Sequence, residues 1–149
     1  MSKTMVGVEA PEEAVLSALA FLRNEQIDDA TACFAEQFRF KDHGIGLEFK
    51  DRGRLAEFFQ KTKEFYPDSL LHTNSMFVSG DHVIIEWTIQ STLTEPFYAG
   101  LSRKVPVVFH GVCVVRIDNG KITEWSDYYD GLTSRRTALA AYFTEWIEL

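Results

Sequence analysis

The sequence has few cysteines, no long basic run and no long hydrophobic run, and each shortage excludes a class of protein. Its two cysteines, Cys33 and Cys113, cannot form the disulfide framework of a small secreted domain, and we expect both to be reduced. The net charge of −7 argues against nucleic acid or an anionic membrane surface as a partner, since both require clustered Lys and Arg. No window approaches the roughly 18 consecutive apolar residues of a membrane-spanning helix, so we expect no membrane span.

Several motifs are also missing. The segment after Met1 has no long apolar run, so we expect no secretory signal and predict a cytoplasmic location. There is no His-Glu-x-x-His, no Gly-x-Ser-x-Gly and no glycine-rich phosphate loop, so we predict neither a metal nor a cofactor. What is present is 149 residues with 46% hydrophobic content, which predicts a single domain over residues 1–149 with a real core.

Hydrophobic periodicity and turn residues predict helices first, then strands, then a final helix. Pro11 and the acids after it start the first helix, and Pro67 stops the clearest amphipathic one. Ser79-Gly80-Asp81 and Asp118-Asn119-Gly120 predict two hairpins. The other predicted elements are a short helix over Asp28–Phe34, a strand over Phe38–Asp42, a helix over Arg54–Tyr66, strands over Leu70–Val78, His82–Thr92, Lys104–Ile117 and Lys121–Asp130, and a helix over Thr133–Trp146 with Leu139, Tyr142, Phe143 and Trp146 on one side.

One predicted strand, Val105–Ile117, is apolar on both faces. Alternate residues of a strand face opposite sides of the sheet. One face carries Val105, Val107, Phe109, Cys113 and Val115, and the other carries Val108, Val112 and Val114. A strand of this kind is covered on both sides. Helices can cover one side, and we therefore predict that a second copy of the chain covers the other, forming a homodimer through the sheet.

Two aspartates interrupt apolar faces. Asp127 is predicted to lie on the same face of its strand as Trp125 and Tyr129. Asp42 is predicted to lie on the same face of its strand as Phe40. A carboxylate in such a row is desolvated, which raises its pKa unless hydrogen-bond donors satisfy it. Two carboxyl groups in one apolar pocket are a common way to separate an acid from a base. The alternatives are that Asp42 is a turn residue and that a one-residue bulge turns Asp127 to solvent.

The histidines are weaker candidates for a site. His72 and His82 flank a predicted hairpin and are expected to be exposed, and His110 has the parity of the outer face. His43 adjoins Asp42 and could tune its carboxyl group, although a histidine on a surface turn is commoner.

The order of elements, together with the segments FAEQFRFKDHGIG and GVCVVRIDNGKITEWSDYYD, resembles the nuclear transport factor 2-like superfamily. The SnoaL-like polyketide cyclase branch is the most similar, and the resemblance runs from about Val15 to Leu139. It implies an α+β fold in which a strongly curved, mostly antiparallel sheet and N-terminal helices form a conical pocket (a cystatin-like α+β barrel), with a C-terminal helix. Such proteins are often dimers.

The resemblance carries over to the site only in part. Asp42 matches the general base of the ketosteroid isomerases, but their two oxyanion donors fall on Ala18 and Cys113, which cannot do that work. In limonene-epoxide hydrolase the water-activating aspartate matches Asp127, while its partner asparagine and its tyrosine fall on Asp42 and Phe40. The arginine and acid that protonate the epoxide fall on Trp87 and Ile89. The SnoaL-like cyclases use an aspartate near the position of Asp127 as acid and base. Of the three comparisons, this one fits the residues of this sequence best.

We therefore predict a cofactor-independent cyclase or isomerase that acts on a hydrophobic carbonyl compound of polyketide, steroid or terpenoid type. Asp127 is the predicted base and Asp42 the second carboxyl group. The predicted substrate-binding residues are Phe40, Trp87, Ile89, Phe109, Cys113, Trp125 and Tyr129. The alternatives are a non-catalytic ligand-binding or dimerisation domain, and an epoxide hydrolase in which His72 or another donor replaces the lost acid.

Overall fold

The computed structural model describes residues 10–93 and 104–147, with side chains as far as residue 144. It contains four helices and six strands in an α+β arrangement. The helices are α1 (Pro11–Arg23), α2 (Ile27–Ala32), α3 (Arg52–Phe65) and α4 (Thr133–Ile147), and the strands are β1 (Phe34–Asp42), β2 (Leu47–Phe49), β3 (Leu70–Ser79), β4 (His82–Thr92), β5 (Pro106–Asp118) and β6 (Lys121–Tyr129). No helix in the described ranges is long and apolar enough to cross a membrane.

All six strands form one curved sheet in the order β2-β1-β6-β5-β4-β3. Neighbouring strands are antiparallel except β1 and β6, which are parallel. Helix α1 contacts β3, β4, β5 and β6, so it lies across one face of the sheet. This arrangement confirms the predicted fold class, with helices at the N-terminal end, a mostly antiparallel sheet and a C-terminal helix.

The core lies between α1 and the inward face of the sheet. The apolar face of α1 buries Val15, Ala18 and Leu19, and the sheet meets it with the alternating residues that strand parity selected, such as Ile85 and Val115. Each is less than a tenth exposed, so each contributes on the order of 1.5–3 kcal/mol through burial when it is a full aliphatic side chain.

The hairpin predictions are confirmed. Gly80, between β3 and β4, has φ +60°, and Asn119 and Gly120, between β5 and β6, have φ 50° and 73°. A two-residue hairpin matches strand twist with positive φ at both central residues, as at Asn119-Gly120, or at the first alone, as at Gly80, and Asn and Gly adopt it at low cost.

The predicted helix over Asp28–Phe34 is wrong at its C-terminal end. Helix α2 stops at Ala32, and Phe34 starts strand β1, where it pairs with Ile122 of β6. The ring of Phe34 is 1% exposed and lies 5.1 Å from that of Phe38. Burial of this ring against the sheet thus overrides the local helical pattern. Strand β2 was not predicted, because three residues are too few to show an alternating pattern.

Helix α4 packs through small side chains rather than its large ones. Ala141 is buried and Ala138 half-buried against Val105 and, on β5, Val107. On the predicted apolar side, Leu139, Tyr142 and Phe143 are 58%, 40% and 50% exposed. The side chain of Trp146 lies outside the described residues. The helix was predicted correctly, but that side is not its buried face.

Candidate active site

A cavity of about 540 Å³ lies between the helices and the inward face of the sheet. Its volume falls within the range of about 300–1,000 Å³ that is typical of small-molecule pockets. The helices contribute apolar side chains, among them Leu22 of α1 and Phe58 and Phe59 of α3. Every residue predicted for the site lines this cavity, namely Phe40, Asp42, Trp87, Ile89, Phe109, Cys113, Trp125, Asp127 and Tyr129.

The two aspartates lie side by side on neighbouring strands. Asp42 is the register partner of Asp127 across the parallel pair β1 and β6, and Cys113 is the partner of Asp127 on β5. The main chain reinforces this pairing, because the amide of His43 donates to the carbonyl oxygen of Asp127 at 2.9 Å. Both carboxyl groups therefore belong to one row across the sheet.

Strand β6 does contain an irregularity, but it lies before the site. Ile122 and Glu124 pair with consecutive residues of β5, which leaves Thr123 as an extra residue in β6. Ile122 and Trp125 are both buried, and Glu124 between them is exposed. Regular alternation resumes at Trp125, so Asp127 stays on the inward face. The bulge changes which residues face inward only before Trp125, so it does not turn Asp127 to solvent.

The carboxyl group of Asp127 is strongly perturbed. Burial, with a smaller contribution from the charge of Asp42, raises its pKa to about 7, although the indole groups of Trp125 and Trp87 act in the opposite direction. The side chain is only partly enclosed by protein, and its open side faces the cavity. Near neutral pH the protonated and ionised forms are therefore both populated, so Asp127 can accept a proton or donate one.

Asp42 belongs to both a turn and the cavity. Its Oδ1 accepts a hydrogen bond from the amide of Ile45 at 3.0 Å, which closes the turn between β1 and β2. Its Oδ2 accepts one from the hydroxyl of Tyr129, also at 3.0 Å. The residue is 7% exposed. The sequence allowed Asp42 to be either a turn residue or a site residue, and it is both. Oδ1 closes the turn, and Oδ2 binds Tyr129 in the cavity.

Tyr129 is held by glycines. A Cβ at Gly44 would lie 2.2 Å from the Tyr129 ring, and one at Gly131 would collide with the backbone of Gly44. The absence of side chains at these two positions lets the ring pack on the turn and reach Asp42. Burial and then the charge of Asp42 raise the pKa of Tyr129. Tyr129 therefore remains a neutral donor across the physiological range.

Removal of the Tyr129 hydroxyl tests this bond. Tyr129→Phe keeps the ring against Trp87 and Phe109 but leaves Asp42 without one donor. We expect a loss of about 1.5–3 kcal/mol in the free energy of unfolding at pH 7, because the bond is to a charged acceptor. Urea denaturation measures it. The matched control is Tyr128→Phe, which changes an exposed neighbour and should cost less than about 0.5 kcal/mol. Equal effects of the two substitutions would contradict the assignment.

Cys113 forms part of the cavity wall as a thiol. It is 1% exposed. Burial raises its pKa, and the charge of Asp127 adds to the rise. A reactive cysteine needs the opposite, a pKa lowered by an electropositive setting. Cys113 therefore contributes shape and low polarity to the cavity, as expected for a core cysteine.

The histidines lie outside the cavity. His72 and His110 are exposed, and neither is among the lining residues. The ring of His43 stacks on Tyr128, with 4.2 Å between the ring centroids, instead of facing the aspartates. In the described part of the chain, no group of three or more His, Cys, Asp and Glu side chains is placed to hold a metal ion.

One polar pair in the cavity was not predicted. The hydroxyls of Tyr66 and Ser134 lie 2.5 Å apart and line the wall formed by the ends of α3 and α4. Burial raises the pKa of Tyr66. The two residues are 68 positions apart in sequence, and no local pattern links them. Only the packing of α4 brings them together.

The curved sheet, the helices across it and the apolar cavity with its two aspartates define a class, the nuclear transport factor 2-like α+β proteins with an internal pocket. Within that class, the SnoaL-like polyketide cyclase family matches residues 12–137. The chain belongs to this family. No curated protein matches it.

Solved structures agree on the fold. A protein with a ketosteroid isomerase-like fold from Catenulispora acidiphila, in complex with trimethylamine, is 20% identical, with a TM-score of 0.72 over 85% of this chain and 92% of that one. An LEH-like epoxide hydrolase from M. tuberculosis is 20% identical, with a TM-score of 0.66 over 92% and 95%. A protein from Shewanella denitrificans assigned as a SnoaL-like polyketide cyclase is 14% identical, with a TM-score of 0.74 over 87% and 97%. At these identities the similarity establishes the fold alone.

Proposed function

We propose that the protein is a cofactor-independent acid/base enzyme, a cyclase or isomerase, acting on a hydrophobic carbonyl compound. The observation that supports this most is the carboxyl group of Asp127, whose pKa is raised to about 7 in an otherwise apolar cavity. A general base works best when its pKa is near the operating pH. Asp42 is the second carboxyl group, and its charge helps to keep the pKa of Asp127 high.

The chemistry needs only a proton shuttle. Ionised Asp127 takes a proton from the carbon next to the substrate carbonyl, so the C–H bond breaks and its electrons form an enolate. In an isomerisation, Asp127 returns the proton to another carbon of the conjugated system. In a cyclisation, the enolate carbon bonds to a second carbonyl carbon of the same molecule, and protonated Asp127 supplies the proton to the resulting alkoxide. Every atom and electron pair comes from the substrate and Asp127.

Deuterium exchange tests the first step without knowledge of the natural substrate. 2-Tetralone, a hydrophobic bicyclic ketone, is incubated with the protein in deuterated buffer, and loss of its α-proton NMR signals is followed. We expect exchange faster than in buffer containing an equal concentration of an unrelated acidic protein. Exchange at the rate of that control would count against the proposal for this ketone class, and a wider ketone panel would then have to show exchange for the proposal to stand.

A non-catalytic binding domain is the main rival, and the same cavity supports it. Its signature is a ketone that binds in the cavity without accelerated exchange. The epoxide-hydrolase alternative has less support, because Trp87 and Ile89 hold the positions of the epoxide acid and His72 is exposed, away from the cavity. Incorporation of oxygen from labelled water into the products of a panel of epoxides would support this alternative.

We also propose that the outer face of the sheet pairs with a second copy of the chain. An apolar patch crosses this face through register partners on four strands. Phe77 pairs with Ile84, Ile84 with Val114, and Val112 with Tyr128. Phe77 is 61% exposed and Tyr128 48%. Ile84, Val112 and Val114 between them are half-buried, and a contiguous apolar patch of this kind is typical of an interaction site. The patch lies on the side of the sheet opposite the cavity, so pairing would leave the cavity accessible.

A charge in this patch should separate the copies. Val114→Arg would place a guanidinium beside Ile84 on the outer face, and an unpaired charge buried in an interface costs several kcal/mol. We expect the mass from light scattering after gel filtration to fall from dimer to monomer. Gln60→Arg, which adds the same charge to an exposed position of α3, should leave the dimer intact. A wild-type protein that is monomeric at all concentrations would disprove the interface.

We propose further that the chain acts as a single domain, since all described strands join one sheet. A cytoplasmic location stays a prediction from the sequence.

A further inference from the structure

The indole nitrogen of Trp125, a residue that lines the cavity, is an orphaned donor. Trp125 is 5% exposed and lines the cavity beside Asp127. Its Nε1 is buried and has no hydrogen-bond partner in the part of the chain that the structure describes. A buried N–H without an acceptor costs about 1–3 kcal/mol, and such groups are rare in native proteins. The position of this donor therefore calls for a functional explanation.

The surroundings of Trp125 show where this donor acts. The indole is near enough to the Asp127 carboxyl group to lower its pKa, yet the two do not meet hydrogen-bond geometry. The indole ring packs on Phe40, with ring centroids 6.2 Å apart and near-parallel planes. That packing fixes the ring in place. The donor is thus held rigidly next to the group proposed to move the proton.

We infer that the Trp125 indole N–H binds the carbonyl oxygen of the substrate, so that the neighbouring α-carbon lies against Asp127. This inference rests on the proposed function and adds to it the partner of the substrate oxygen. When Asp127 removes the proton, negative charge develops on that oxygen. A fixed donor in a site of low polarity stabilises such a charge without reorganisation. Trp125 would then supply the hydrogen bond to the substrate oxygen that Ala18 and Cys113 cannot supply.

The same geometry restricts the charge of the substrate. The charge of Asp42 raises the pKa values of both Asp127 and Tyr129, so the field at this end of the cavity is negative. Lys61 is the one cation among the described lining residues, and it is exposed and pairs with Glu64 at 3.1 Å. A carboxylate beside Trp125 would therefore be repelled and uncompensated. The site fits a neutral carbonyl group, as in a ketone, and disfavours a carboxylic acid.

The indole NMR signals provide a direct test. The chain has three tryptophans, Trp87, Trp125 and Trp146, and the signal missing from Trp125→Phe assigns the Trp125 N–H in the ¹⁵N-labelled wild-type protein. The probes are 2-tetralone and its hydrocarbon counterpart tetralin. We expect 2-tetralone to move the Trp125 indole proton downfield, as a new hydrogen bond does, and tetralin to leave it in place. An identical response to the two probes would overturn the inference, and this comparison needs only the wild-type protein.

Binding constants give a second readout. Trp125→Phe keeps an aromatic ring but removes the donor, and we expect the dissociation constant of 2-tetralone to rise about tenfold, or about 1.4 kcal/mol, with that of tetralin changed by less than twofold. Tetralin-2-carboxylate should bind the wild-type protein more weakly than 2-tetralone at pH 8. An equal loss for both neutral probes would show that the ring acts only through packing, against the inference. A ketone-specific effect without any deuterium exchange would refute the proposed catalysis and leave the donor role intact.

Discussion

Replacement of Asp127 with asparagine is expected to lower the rate of deuterium exchange into 2-tetralone by about 10²–10⁴-fold, the usual contribution of a general base. Asparagine has nearly the same shape as aspartate and can occupy the same place between Cys113 and Asp42 in the row. It cannot accept a proton from carbon near neutral pH. The rate constant should fall while the affinity for the ketone stays within a few fold, because the apolar walls and Trp125 are unchanged.

Glu124→Gln is the matched control for this substitution. Glu124 lies on the same strand, three residues before Asp127, and its side chain is exposed on the outward face. It replaces a carboxyl group with an amide in the same way, so the two variants differ only in the position of that replacement. We expect its exchange rate to match that of the wild type. An Asp127→Asn variant that exchanged as fast as Glu124→Gln would show that another group is the base.

The same Asp127→Asn variant is expected to be more stable than the wild type at neutral pH. The pKa of Asp127 is about 7 in the folded protein and 3.8 without the influence of the fold. Between these values the folded state binds more protons than the unfolded state, so the wild type loses stability as pH rises from about 4 to about 7. The loss amounts to at most about 4 kcal/mol, at about 1.36 kcal/mol per unit of pKa, and it is an upper limit because part of the side chain faces the cavity.

Urea denaturation of the two proteins at a series of pH values measures this effect. The difference in the free energy of unfolding should be small at pH 4, grow in favour of Asp127→Asn up to about pH 7 and stay constant above it. A difference independent of pH would contradict the perturbed carboxyl group. A wild type more stable than the variant at pH 8 would do the same. Together with the loss of activity, the gain would show that the site costs stability for its chemistry.

The sequence specified the inward face of the sheet well, because strand parity is a local property. In β4 the alternation of Ile85 and Trp87 with Glu86 predicted which side chains are buried, and the structure agrees. In β6 the prediction for Asp127 held because the bulge at Thr123 comes before Trp125. A bulge two residues later would have reversed it. The prediction that Asp127 faces inward was therefore correct only because of the position of this bulge, which the sequence does not reveal.

Contacts between distant segments could not be predicted. Tyr129 was expected to shape the pocket, but its hydrogen bond to Asp42 depends on close packing of Gly44 and Gly131, which are 87 positions apart. The start of β1 at Phe34 depends on its burial against Trp125. In each case tertiary packing decides the outcome, and no single window of sequence contains both partners.

Family membership and residue chemistry contribute differently to the account. The match over residues 12–137 establishes the fold family, and the fold explains why a cavity exists. The donors known from ketosteroid isomerases have no counterparts at Ala18 and Cys113. Other neutral donors belong to residues that line the cavity, among them the hydroxyl of Tyr129, which is directed to Asp42, and the orphaned indole of Trp125. The proposed reaction thus rests on residues specific to this chain.

The central claim is that Asp127 can gain and lose a proton near neutral pH inside an apolar cavity. A titration of its side-chain carboxyl carbon by ¹³C NMR tests that claim most directly, with Asp127→Asn used to assign the signal. The midpoint is predicted to lie near pH 7, as the burial of the group and the charge of Asp42 require. A midpoint near pH 4, the value of an ordinary aspartate, would contradict the account, because Asp127 would then be a permanently ionised group with little capacity to exchange protons with a ketone.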